Sequence, residues 1–191
     1  MPSLEALLAE LTSGDELQAE AAAARLAAFG PAAVKALLAR LAASDMDSRW
    51  WSVRTLAEIE TESARAAVRQ ALSDPDPSVR QCAALGLRRA VSPSDTEPLL
   101  AALGDSDALV RRLAGDALSA LGLPAVEFLS AAARSIHPST RIEAVRALAR
   151  SRRPEAIPAL HSALEDPSAL VQHWAERGLE DLGQDMVYLR L

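Results

Sequence analysis

Apolar residues recur along the chain at spacings of three and four, in short stretches separated by polar turns. Leu26, Leu56, Leu87, Leu118, Leu148 and Leu179 stand 30 or 31 residues apart. Four residues before each stands a small one: Ala22, Ser52, Ala83, Ala114, Ala144 and Ala175. Three residues earlier again come Ala19, Arg49, Arg80, Arg111, Arg141 and Gln172. Three registers held in phase across six units define an internal repeat.

Each unit predicts two helices. The first, helix A, carries stripes such as Leu4/Leu8/Leu11, Val34/Leu38/Leu41, Val68/Leu72 and Ile157/Leu160/Leu164. One apolar stripe at that spacing is one buried helix face. The second, helix B, carries Val79, Ala83 and Leu87, then Val110, Ala114, Leu118 and Leu121. The small residue in mid-helix lets neighbouring backbones approach closely. Polar turns rich in Asp, Ser and Pro join A to B, supplying acceptors for the free N–H groups that open helix B. Gly30-Pro31, Gly122-Leu123-Pro124, Arg153-Pro154 and Gly183 punctuate the units. The repeats run approximately 2–30, 31–61, 62–92, 93–122, 123–153 and 154–184, in one domain over 1–191, with a short tail at 185–191.

The stretches DPDPSVRQCAALGLRRA (74–90), DSDALVRRLAGDALSALG (105–122) and DPSALVQHWAERGLEDLG (166–183) resemble HEAT-like repeats of the phycobilisome-lyase type. The resemblance covers essentially the whole chain. It implies an all-α, right-handed α-solenoid, with A helices on the convex face and B helices lining a concave groove. The pattern is specific for the repeat and much less so for an activity: it builds scaffolds and adaptors as well as chromophore lyases. Ala19 and Gln172 depart from the Arg register, as terminal capping repeats do.

Composition agrees with a helical chain. Ala (41) and Leu (30) supply 71 of the 191 residues, and aromatics only 3%, which excludes an ordinary β-sandwich or barrel. Basic residues number 20 against 26 acidic, for a net charge of −6. That balance disfavours non-specific nucleic-acid binding, which rests on clustered cations. No apolar run approaches a membrane span and no leader pattern opens the chain. A single Cys82 fits a reducing compartment, so a cytoplasmic location is expected.

The recurring Arg49, Arg80, Arg111 and Arg141 offer a basic stripe for phosphate or an acidic peptide. Stacking against the turn acids Asp45, Asp74 and Asp105 is the favoured account, because the periodicity follows the fold. The paired acids of these turns lack the third ligand, Gly and closing Glu of a calcium loop. They read as helix caps. A phosphate patch around Arg146, Arg150, Arg152 and Arg153 is the lesser alternative to charges that complement helix ends.

Function in a solenoid sits where the repeat does not dictate the residue. One such column on helix B is Glu20, Trp50, Gln81, Arg112, Ile142 and His173; beside it run Ala21, Trp51, Cys82, Leu113, Glu143 and Trp174. A third, four residues on from the first, is Ala24, Arg54, Leu85, Asp116, Arg146 and Arg177. All three tryptophans fall in two adjacent columns, and Trp and Arg are the residues most enriched at binding hot spots. The groove candidates are therefore Trp50, Trp51, Arg54, Gln81, Leu85, Arg112, Asp116, Ile142, Arg146, His173, Trp174 and Arg177. Arg54, Arg112, Arg146 and Arg177 would select acidic partners; Asp116, Glu143 and Glu176 basic ones.

Chemistry is sparse. A related HEAT-like hydroxylase family binds iron through His-Glu pairs, whereas the one register match here is His173-Trp174. No metal site, cofactor or catalytic residue is expected from three His and one Cys. Cys82 on an Ala-rich helix reads as a small filler. The expected function is a non-catalytic scaffold or adaptor that binds a partner protein or peptide, as a monomer. The alternatives are a phycobilin-lyase-like chromophore binder and, less favoured on charge, a HEAT-like nucleic-acid or DNA base-repair protein. The tail is expected to cap the last repeat.

Overall fold

The computed structural model describes residues 2–42 and 45–184; the expectation for the tail lies outside them. The chain divides into two compact units, residues 1–87 and 88–191. Twelve α-helices and three short 3₁₀ turns account for the described residues, which contain no strand. In chain order the helices are α1 (Leu4–Glu10), α2 (Glu16–Ala28), α3 (Pro31–Arg40), α4 (Met46–Leu56), α5 (Glu62–Gln70) and α6 (Pro77–Arg89). They continue as α7 (Thr96–Ala102), α8 (Ala108–Leu121), α9 (Leu123–Ala132), α10 (Pro138–Ser151), α11 (Ile157–Ala163) and α12 (Ala169–Asp181). Odd-numbered helices are the A members of the repeat and even-numbered ones the B members.

Local chemistry sets the helix starts. The side chains of Ser3, Asp15, Asp45 and Thr61 each accept from the amide three residues on, and Asp107 accepts from both Leu109 and Val110. Each satisfies an amide that the helix leaves without an internal partner. Gly30 and Gly122 precede α3 and α9 with φ of 57° and 72°. A side chain would strain that backbone, so glycine turns the chain between repeats there.

In residues 1–87, α2 packs on α4 and α3 on α5, while α1 lies on α2 and α3 on α4. In residues 88–191, α8, α10 and α12 pack in series, α7 lies on α9, and each A helix packs on its own B helix. Each unit is thus a layer of A helices against a layer of B helices. The repeat registers are the core. Ala22, Ser52, Ala83, Ala114, Ala144 and Ala175 are all completely buried, and so, within a few percent, is every leucine four residues on. Burying one such leucine stabilises a fold by about 1.5–3 kcal/mol. The small residues hold neighbouring B helices close enough for that burial. Ser52 keeps the small-residue register by returning its hydroxyl to the Ser48 carbonyl at 2.6 Å.

Candidate functional site

Arginines at the start of the B helices grip the turns in two directions. Nη1 of Arg80 donates to the carbonyls of Asp74 and Pro75, at 2.9 and 3.1 Å. Nη1 of Arg111 does the same to Asp105 and Ser106, and Nη1 of Arg141 to Ser135 and Ile136. The other edge of the fork reaches the following turn. Arg49 donates through Nε and Nη2 to the Asp74 carboxylate, at 2.8 and 3.0 Å. Arg141 donates likewise to Asp166, at 2.6 and 3.1 Å. Hydrogen bonding to Arg141 holds the Asp166 carboxyl below the usual range against the opposing effect of burial. At Asp74 burial pulls upward most strongly, yet Arg49 and the Asp76 amide together lower it. Asp74 and Asp105 do not cap the helices themselves. Each accepts from the amide two residues on, while Asp45 and Asp107 take the N-cap position.

Two rungs are incomplete. Ser135 stands in the register of Asp74, Asp105 and Asp166, six residues before Arg141. Its hydroxyl accepts from the His137 amide, but it offers Arg111 no carboxylate. Gln172 stands where Arg is expected, and its Nε2 donates to the Asp166 carbonyl at 2.7 Å. It keeps the backward contact and has no fork for a forward one.

In residues 1–87 the site candidates gather on α4. Trp50 and Trp51 are half-buried, their ring centroids 4.8 Å apart at 87°, edge to face. Both border a cavity of about 370 Å³ that Ala19 also lines and to which Asp15, Glu16, Asp45 and Asp47 contribute carboxylates. Hydrogen bonds from Ser48 hold the Asp45 carboxyl below its ordinary range, so it is charged at neutral pH. Arg54 is neutralised within its unit by Glu20 at 2.9 Å and Glu58 at 2.7 Å. Gln81 is half-buried and Leu85 exposed. Cys82 is buried, and burial pushes its thiol up to about 12. A thiol in that state is a filler rather than a nucleophile.

In residues 88–191 the expected column breaks at Arg146. Placed at a groove and in a phosphate patch by its register, it is instead only 2% exposed. Its Nε donates to Glu143 at 2.6 Å, its Nη1 to Asp116 at 2.7 Å and its Nη2 to the Arg112 carbonyl at 2.8 Å. Burial alone would lower its pKa; Glu143 and Asp116 more than offset that and keep it charged. Gly115 makes the space, since a Cβ there would lie 3.3 Å from Nη2 of Arg146. Asp116 is also reached by Arg150 at 3.3 Å and Arg88 at 3.5 Å. Arg146, Asp116 and Glu143 therefore satisfy one another and are removed from the residues that select a partner. Arg146 also leaves the phosphate patch, and Arg152 turns to Asp181 at 3.6 Å. Arg112, His173 and Arg177 are exposed, and Ile142 and Trp174 half-buried. The His173 and Trp174 rings meet at 5.4 Å.

The described residues contain no cluster of three or more metal-ligating side chains and no helix long and apolar enough to cross a membrane.

Comparison with known proteins agrees with the helix pairing. The family model of HEAT repeats matches residues 34–119, 66–137 and 126–188. The chain belongs to the HEAT-repeat family. No curated protein sequence matches it. Among solved structures this HEAT-repeat chain is similar to the complex of CpcE and CpcF of phycocyanin lyase from Nostoc. The identity is 25%, over 75% of this chain and 96% of that one, with a TM-score of 0.59. It is also similar to an archaeal HEAT-like repeats protein from Thermococcus onnurineus (17% identity, 95% and 81% covered, TM-score 0.63). Human deoxyhypusine hydroxylase shares the fold at 21% identity, with 95% and 74% covered and a TM-score of 0.54. The all-α solenoid class of the HEAT and armadillo repeats is thereby shown, and this class includes proteins named as enzymes.

Proposed function

We propose that this HEAT-repeat chain is a non-catalytic scaffold that binds a partner protein or peptide on its B-helix layers. One observation carries the reading: Trp50 and Trp51 border an open cavity instead of filling the core. Large rigid aromatics at the edge of a cavity supply contact area at low entropic cost. Trp174 beside His173, on α12, gives the second unit an aromatic surface of its own. Sealing of Cys82 argues against covalent capture of a chromophore by this chain's one thiol.

The test is affinity capture with wild type and the Trp50→Ala/Trp51→Ala/Trp174→Ala variant, matched for helicity and melting. A partner held by wild type and lost by the variant supports the reading. An unchanged partner set overturns the role of the tryptophans.

Similarity to the CpcE–CpcF complex supports a second reading, a chromophore-binding or lyase-like subunit. Titration with a bilin and a shifted visible absorption band would favour it; an unshifted spectrum would set it aside.

A further inference from the structure

We propose that the cavity beside Ala19 receives an arginine side chain from a partner protein. The inference rests on the scaffold reading and names the chemistry of what that surface holds. The repeat itself supplies the template. In later units a guanidinium sits at the start of helix B and takes the carbonyls six and five residues back, as Arg80 takes Asp74 and Pro75. In the first unit that residue is Ala19, and the turn residues in register are Ser13 and Gly14. The chain has kept the turn and lost the cation.

What remains is a cavity of about 370 Å³ whose lining includes Gly14, Asp15, Glu16 and Ala19 from one side of the missing rung. Asp45, Asp47 and the two tryptophans line it from the next repeat. Glu16 and Asp47 have no ion-pair partner among the described residues. No basic residue lines this cavity. By contrast, the cavity of similar volume beside Arg141 has Arg134 and Arg141 together with Glu155, Glu165 and Asp166 in its lining. It therefore carries its own balancing charge. The first cavity is the one with acids, aromatic walls and no cation.

A guanidinium fits this combination better than an ammonium. It is planar, so it lies against an indole face, and its fork of donors serves a carbonyl and a carboxylate at once. The complete rungs at Arg49 and Arg141 show that division of donors.

The experiment follows the three indole N–H signals by two-dimensional nuclear magnetic resonance, assigned by single Trp→Phe variants. The probe is a capped pentapeptide of glycine with one central arginine, with its lysine and citrulline counterparts as controls. The arginine peptide should shift the Trp50 and Trp51 signals and leave Trp174 in place, with citrulline weaker by about tenfold or more. Ala19→Arg should fill the cavity from within, abolish the shifts and raise the melting temperature. Should Ala19→Arg not fold, Glu16→Gln/Asp47→Asn, at exposed positions, should weaken binding severalfold.

Three outcomes would overturn the inference: no shift at millimolar peptide, equal shifts with citrulline, or binding undiminished in the variants. A wild-type dimer that Ala19→Arg turns into monomer would make the occupant a second copy and overturn the partner assignment. A chain that ignores the peptide yet loses its captured partner on tryptophan truncation keeps the scaffold reading and loses this inference alone.

Discussion

Two arginines five residues apart on α10 do opposite things. Arg141 follows the repeat: half-buried at the helix start, it ties its own turn to the next through Asp166. Arg146 follows nothing periodic. It is buried between α8 and α10 and held by Asp116, Glu143 and a backbone carbonyl. One is a surface clamp that every unit can copy; the other is a buried charge that only this pair of helices accommodates. Energetically they differ because exposed pairs contribute little, whereas a buried charge is costly once a partner is taken away.

The sharpest break in that contrast is Arg146→Ala. It should destabilise the protein by about 3 kcal/mol, the low end for a broken buried pair, because Arg150 and Arg88 still reach Asp116. Urea unfolding checks this; a loss well below 1 kcal/mol would mean that solvent already reaches Arg146. Gly115→Ala should cost about 1 kcal/mol, since its methyl would crowd the Arg146 guanidinium and the Glu143 carbonyl. The same variant in an Arg146→Ala background should cost less, and a double-mutant cycle measures the coupling.

Arg141→Met tests the periodic side by its pH dependence. The folded Asp166 carboxyl titrates below its unfolded value, so its contribution is present above about pH 4 and disappears as the pH falls through the folded value. Wild type and Arg141→Met should therefore differ in stability at neutral pH and converge in acid. A difference that stays constant down to the acid limb would show that the carbonyl contacts, and not the carboxylate, carry the effect. The smallest effect is a gain. Ser135→Asp should restore the carboxylate opposite Arg111 and stabilise by about 0.5 kcal/mol, read as a rise in melting temperature. No rise would mean that the register of this shorter repeat misplaces the side chain.

These residues also show what was legible in the sequence. The small-residue and leucine registers identify the core directly, because close packing of B helices admits no alternative at those positions. The ladder was legible as a recurrence, but its division of labour between carbonyls behind and carboxylate ahead is a matter of fork geometry. Arg146 misled because its column was assigned by spacing along the helix. Its burial depends on Gly115 in a neighbouring helix, and pairwise space of that kind has no period. The unfilled rung at Ser135 was hidden by a repeat one residue shorter than its neighbour, 30 instead of 31. The tryptophans were placed in the correct helices, while their half-exposure depends on what Ala19 fails to fill.

The two-edged grip of Arg141 has a consequence for how such a chain changes length. Each clamp borrows its donor from one repeat and its carboxylate from the next, so the contact has a head and a tail. Removing or duplicating one whole repeat rejoins a head to a tail and leaves every clamp matched. Cutting within a repeat strands an arginine on one side or an aspartate on the other. Insertions and deletions in multiples of a full repeat are therefore the edits that this architecture absorbs, and Gln172 shows how a clamp is retired without disturbing the turn it holds.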